Sequence, residues 1–362
     1  MRNAMTCREV EILKSAVAYI NELPLGEVQI MEVCGTHTHQ IARLGLKGLL
    51  SPNIRLISGP GCPVCVTVPG YIDTLLTLLE RERTVVATFG DLLRVPGTTG
   101  SLELQKSKGK CVLTIYSPEE ALTFGIKNPE SQVVLAAVGF ETSAPIHAAI
   151  IKAAEARGLQ NISLLTALKQ MEPAISHVLS NSGVRIDGLL CPGHVAAITG
   201  KSPFVPISEK FGIPAVICGF EALDIVAGMA MLCRMIAENS APRLENAYKR
   251  CVTDKGNHTA LALINTVFVP SDAVWRGMGM IAGSGLAINS WYRKFDAQYR
   301  FGITVAETAQ SIPGCICGEV LTGKKTPQMC QSFGRSCTPE HPLGPCMVSS
   351  EGACAAQYSL CG

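Results

Sequence analysis

Charge is scarce in this chain: Asp, Glu, Lys and Arg make up 17% of 362 residues, and the formal net charge is +2. So balanced a composition gives no electrostatic case for a nucleic-acid backbone or an anionic membrane as partner. Aromatic residues are few as well, at 5%, and none cluster with basic residues in a way that would stack bases. A Walker A pattern is missing, and the GxG pieces at 277–285 lack the strand–helix setting of a dinucleotide fingerprint. Nucleotide binding is therefore unsupported. No apolar run stays uncharged over the width of a membrane. The longest, AVICGFEALDIVAGMAMLCRMIAE, contains Glu221, Asp224 and Arg234 and reads as a buried helix of a soluble protein. The opening stretch MRNAMTCREVEILKSAVAYI carries charges through its apolar positions. It reads as an amphipathic helix rather than a signal peptide, and the expected location is the cytoplasm.

Apolar residues and cysteine are plentiful. Hydrophobic residues reach 47%, enough for large cores. Short, unbroken, β-branched runs occur at 28–34, 54–58, 84–89, 111–116, 133–139, 162–168, 186–191 and 215–218, as expected of strands buried on both faces of a parallel sheet. Helical patterns lie between them. YIDTLLTLLERE puts Ile72, Leu75, Leu76 and Leu79 on one face, and PEEALTF follows Ser117 with Glu120 three residues on, a capping-box spacing. Alternating strands and helices make βαβ units, so the expected class is α/β. The strands are too many for one small open sheet. Two sheets are expected, with domains at 1–117 and 118–240, followed by a third region at 241–362. Residues 265–291 hold four glycines and resist assignment.

The sixteen cysteines fall into groups. In a reducing compartment, clustered cysteines point to metal or catalysis before structural disulfides. Cys34 ends the first strand, ahead of His37 and His39, and could supply a thiolate and imidazoles to a transition metal. The alternative is that one histidine caps the strand end and the other is solvated. Cys62-Pro-Val-Cys65 ends the second strand before a helix, as thioredoxin-type redox pairs do, and the helix end is expected to lower a thiol pKa. Half of a zinc site has the same spacing, but the chain has no second CxxC. Cys191, His194, Glu141 and Asp91 follow later strands and could line a cleft, Asp91 equally well as a helix cap. Cys7, Cys111, Cys218, Cys233 and Cys251 read as small apolar residues. From Pro313 onward, Cys315, Cys317, Cys330, Cys337, Cys346, Cys354 and Cys361 occupy a segment with few aliphatics. Such a segment cannot build its own core and needs a staple. Its spacings do not match zinc knuckles, whereas thiolates of an iron–sulfur cluster need only converge on a cube. Zinc remains the second choice, and disulfides the third.

Taken together, CGTHTHQ (34–40), GPGCPVC (59–65), TFGDLLRVPG (88–97), VGFETSAP (138–145), CPGHV (191–195) and CQSFGRSCTP…CMVSSEGACAA in the tail resemble the HypD family of hydrogenase maturation factors. The resemblance implies two similar open parallel-sheet α/β domains around a cleft, plus a small C-terminal iron–sulfur domain. It implies a factor that holds iron while cyanide and carbon monoxide are added to build the Fe(CN)2CO unit of [NiFe]-hydrogenase. The partners it implies are a HypC-type small chaperone and a HypE-type cyanide donor. Carried over by position, Cys34 is the iron ligand with His37 nearby, and Cys62 and Cys65 are the redox pair. Cys317, Cys330, Cys337 and Cys354 correspond to the ligands of a [4Fe-4S] cluster, with Cys346 and Cys315 as alternatives. Two other readings of the same residues are a cluster-dependent thiol–disulfide oxidoreductase and a zinc-stapled docking scaffold.

Overall fold

A computed structural model describes residues 5–181, 183–306 and 313–360; Cys361 lies outside these. The unbroken aliphatic runs form strands where expected. In chain order these are β1 (Val28–Glu32), β2 (Ile54–Ser58), β3 (Thr84–Phe89), β4 (Val112–Ile115), β5 (Gln132–Gly139), β6 (Ile162–Leu168), β7 (Gly188–Pro192) and β8 (Ala215–Cys218). A short β9 (Leu244–Asn246) follows. The glycine-rich stretch that resisted assignment is an antiparallel hairpin, β10 (Phe268–Trp275) and β11 (Gly279–Ile288). Gly277 and Gly279 take φ of 76° and 81° at its turn, a region glycine enters without steric penalty.

Two parallel sheets result, ordered β2-β1-β7-β8-β9 and β4-β3-β5-β6. Their division corrects the expected break at 117/118. β3 and β4 belong with β5 and β6, while β7 and β8 return to lie beside β1. The physical reason lies in β1, whose residues are buried apart from a half-buried Gln29. β2 covers one edge of that strand, and only a returning strand can cover the other. β7 does so, setting Ile30 against Gly188 and Glu32 against Leu190. In the first sheet the strand order therefore reverses between β1 and β7, and in the second between β3 and β5. Ligand crevices open at the carboxyl ends of strands beside such switch points.

Helices cover both sheets. Cys7–Glu22 and Ala222–Ala237 pack together on one face of the first, burying Leu13, Ile20, Met229 and Leu232 with β1 and β8. Among the described residues, no helix is long and apolar enough to cross a membrane. The region at 241–362, expected to hold a connecting stretch and a C-terminal domain, is joined to both sheets. β9 extends the first sheet, and helix His258–Val267 packs on helix Ala144–Ala156 of the second. The cysteine-rich tail, short of aliphatics, borrows a core instead of building one: Cys317, Leu321 and Cys346 are buried with Met31, Ile57, Cys65 and Trp275.

Candidate functional site: a cleft between two sheets

The carboxyl ends of the two sheets meet at a cleft of about 320 Å³. Thr36, Gly61, His194 and Phe220 line it from the ends of β1, β2, β7 and β8, Phe140 and Thr142 from the end of β5, and Glu351 from the tail. A slightly larger groove, about 360 Å³, lies between β2 and the tail. No cysteine lines either space, and Cys34 and the CxxC pair lie just behind the walls of the cleft at Thr36, Gly61 and Pro63.

Cys34 sits at the switch point, 1% exposed, as the residue that precedes helix Gly35–Arg43. Its sulfur lies 3.7 Å from His194 Nδ1. Burial pushes the Cys34 thiol up, and the nearby Glu32 and Glu351 carboxylates add to this; backbone N–H groups of His37 and Thr36 oppose it without prevailing. A protonated, sheltered sulfur of this kind releases its proton when a metal binds. Glu32, itself buried and pushed up to about 7 by that burial, accepts hydrogen bonds from the Cys34 N–H at 3.1 Å and from the Thr38 hydroxyl.

The two histidines read from the sequence divide their roles in a way the sequence did not disclose. His37 is fully buried and donates from Nε2 to the Gly219 carbonyl at 2.9 Å, with Cys218 Sγ at 3.6 Å. His39 faces the tail, with Nδ1 3.1 Å from the Ser350 carbonyl oxygen. The imidazole against the Cys34 sulfur is that of His194, pushed down to about 4 by burial and so neutral at pH 7.

Cys62 and Cys65 are joined as a disulfide, with Cα atoms 5.3 Å apart. The helix after Cys62 is a single turn, Pro63–Val66. That corrects the expectation of a helix dipole acting on the thiol, since one turn aligns too few peptide units. Gly61 ties this pair to Cys34: a Cβ there would lie 2.3 Å from the Cys34 nitrogen, and the Gly61 carbonyl accepts from the Gly35 N–H at 2.9 Å.

Behind the pair lies the tail. Helices Cys317–Leu321 and Pro345–Val348 pack directly on Pro63–Val66. Six thiols, those of Cys315, Cys317, Cys330, Cys337, Cys346 and Cys354, line one cavity of about 20 Å³. Hydrogen bonding with Cys317 pushes Cys315 and Cys346 up, and burial pushes Cys337 up. As the side chains stand, no group of three or more His, Cys, Asp or Glu among the described residues is placed to hold a metal ion. The remaining sequence candidates are peripheral. Glu141 is buried and accepts from the Met171 N–H at 2.9 Å, and Asp91 accepts from the Ser349 hydroxyl at 3.5 Å. Cys191, a candidate for the cleft wall, is buried and does not line it. Cys218 and Cys233 are buried as read, whereas Cys7, Cys111 and Cys251 are exposed.

Sequence reasoning missed Glu351, whose Oε1 accepts from the Thr36 hydroxyl at 2.7 Å across 315 residues of chain. It missed Arg276 too, a fully buried cation beside the tail thiols. No local pattern marks either residue.

Doubly wound sheets facing each other across a cleft, with the buried Cys34 at a switch point and a bonded CxxC beside it, define a cysteine-rich α/β protein. A model of the HypD family, described as the hydrogenase formation hypA family, matches residues 11–360. The chain belongs to the HypD family of hydrogenase maturation factors. It is 42% identical to the hydrogenase maturation factor HypD of Escherichia coli K12 over 346 residues, covering 95% of this chain and 91% of the relative. HypD1 of Bradyrhizobium diazoefficiens is 41% identical over 339 residues, covering 91% and 89%. A putative hydrogenase expression/formation protein of Methanocaldococcus jannaschii is 38% identical over 350 residues, covering 96% of each.

Proposed function

We propose that this chain holds an iron atom in the cleft while cyanide and carbon monoxide are added, building the Fe(CN)2CO unit of [NiFe]-hydrogenase. The observation that carries the reading is Cys34: a buried sulfur at a switch point, against a neutral imidazole and abutting a disulfide-bonded pair. A thiolate is a soft ligand suited to iron that carries strong-field ligands. Cys34 binds the incoming iron and gives up its proton, His194 accepts or returns that proton at Nδ1, and His37 holds helix Gly35–Arg43 against Gly219. Phe140 and Phe220 give the cleft apolar walls. Cys62 and Cys65 give up two electrons and two protons on closing their bond and take them up on reopening it.

The tail thiols Cys317, Cys330, Cys337 and Cys354 hold a [4Fe-4S] cluster in this reading, with Cys346 and Cys315 on the same cavity as alternatives. The donor set fits, being all sulfur, and the Arg276 guanidinium beside it, with Nη1 and Nη2 unpartnered among the described residues, calls for an anionic neighbour. When bound, such a cluster supplies electrons singly. A HypC-type chaperone and a HypE-type cyanide donor are the partners, and the cytoplasm is the compartment. Anaerobic assembly with those partners should give infrared bands of bound cyanide and carbon monoxide. Cys34→Ser should abolish the bands and leave tail iron and sulfide at about four each per chain. Wild-type bands in that variant would sink the assignment. The bonded Cys62–Cys65 pair favours one second reading, a thiol–disulfide oxidoreductase, which requires turnover with a dithiol substrate alone.

A further inference from the structure

Arg276 is among the largest fully buried side chains of the molecule, at 0% exposure. Its backbone N–H donates to the Val66 carbonyl at 2.9 Å and its Nε to the Thr67 carbonyl at 2.8 Å. Both acceptors are at the carboxyl end of the one-turn helix that carries Cys65. The other half of the guanidinium is unanswered: Nη1 and Nη2 are buried without a hydrogen-bond partner among the described residues. Burial pushes the Arg276 guanidinium down from its ordinary value, and the groups that oppose this are not carboxylates but Cys317, Cys346 and Cys315. Main-chain packing holds it there, since a Cβ on Gly277 would fall 2.2 Å from the Gly318 Cα, one residue from Cys317. A buried charge without a partner carries a large desolvation penalty, so its answering charge has to come from the neighbouring sulfurs.

We infer that Arg276 is the built-in counter-charge of the tail thiolate set, and that it physically links this set to the Cys62–Cys65 helix. The inference rests on the cluster reading above and goes further by assigning a positioning and tuning role to a residue outside the cysteine motifs. A fixed cation favours the more negative, reduced state of an adjacent centre. It therefore raises the reduction potential, and burial leaves the effect little screened by salt. Its grip on the Val66 and Thr67 carbonyls keeps the CxxC helix in register with that centre.

The test compares the full-length wild type, Arg276→Met and Arg276→Lys, each reconstituted anaerobically with iron and sulfide, analysed for both elements and titrated by spectroelectrochemistry. R276M should retain wild-type iron and sulfide while its one-electron reduction equilibrium falls at least tenfold, about 59 mV to lower potential. R276K, which keeps the charge, should stay within about threefold of wild type, a shift of under about 30 mV on the same scale. Equal potentials for R276M and wild type at full iron would overturn the inference, as would an R276K shift as large as that of R276M. If R276M takes up no iron, normal uptake by R276K supports the charge role, and equal failure of both refutes it. A wild-type chain without acid-labile sulfide would instead refute the cluster reading, and this inference with it.

Discussion

Gly61 has no room for even one more carbon. Any Cβ would meet the Cys34 nitrogen at 2.3 Å and its Cα at 2.4 Å, both backbone atoms that cannot swing aside. Gly61→Ala should therefore destabilise the protein by about 1–3 kcal/mol, as overpacking of a tight contact does. Gly26, with nothing within 4 Å of its Cβ position, is the control, and Gly26→Ala should be close to neutral. Urea denaturation of the two variants distinguishes a specific close approach from a general intolerance of alanine. Equal midpoints would mean that the ends of β1 and β2 have slack. The same contact explains why Cys34 and the CxxC pair act as one site: they share a wall of main chain, not just a cavity.

Among the elements, helix Pro118–Lys127 shows a sequence signal realised as written. The Ser117 hydroxyl accepts from the Glu119 N–H at 3.3 Å, and Glu120 Oε1 accepts from the N–H groups of Tyr116 and Ser117 at 2.9 Å each. Ser117→Ala should cost about 1 kcal/mol, the usual value for a lost N-cap, with the cleft unaffected. Thermal denaturation checks the first part, and an unchanged reaction rate of Cys34 with an alkylating reagent checks the second. β1 is the opposite case. VQIME announces a buried strand but does not say which strands lie beside it, because hydrogen-bond partners in a sheet are not encoded in side-chain periodicity. The hairpin of β10 and β11 eluded reading for a different reason: its four glycines between 265 and 291 dilute the alternation on which strand recognition depends.

Over the whole molecule, buried ionisable groups set the response to pH. His37, His147 and His194 are each pushed down to about 4 from 6.5 by burial. A folded value below the unfolded one means that the unfolded chain takes up protons first, so stability falls as pH drops from about 6.5 towards 4. Glu32 and Glu141, pushed up to about 7 from 4.5, work the other way and weaken the fold as pH rises across that interval. The two sets oppose each other between about 4.5 and 6.5, and below that window only the histidine loss persists. His147 isolates one contribution, since it lies in helix Ala144–Ala156 with Nδ1 bonded to the Ser143 carbonyl and Nε2 unpartnered among the described residues. In His147→Gln, the stability lost between pH 7 and pH 5 should be about 2 kcal/mol smaller than in wild type. Urea unfolding at both values measures it, and an identical loss in the two proteins would show that His147 titrates normally.

Burial pattern and turn chemistry are local properties, and the sequence by itself determined what depends on them. Those were the eight principal strands, the caps, the α/β class, the helix at Ala222–Ala237, and the thiols at the ends of β1 and β2. Family membership was also legible, because its motifs are contiguous. Contacts between distant segments decided the rest. Only the returned β7 brings His194 to Cys34 across 160 residues, and only the docked tail brings Glu351 to Thr36 across 315. The tail's dependence on the first sheet for a core, and the place of Arg276 between two groups of sulfurs, arise the same way. Apolar surface is buried by whatever element reaches it, and a strand edge pairs with whichever strand arrives; neither choice leaves a mark at fixed spacing along the chain.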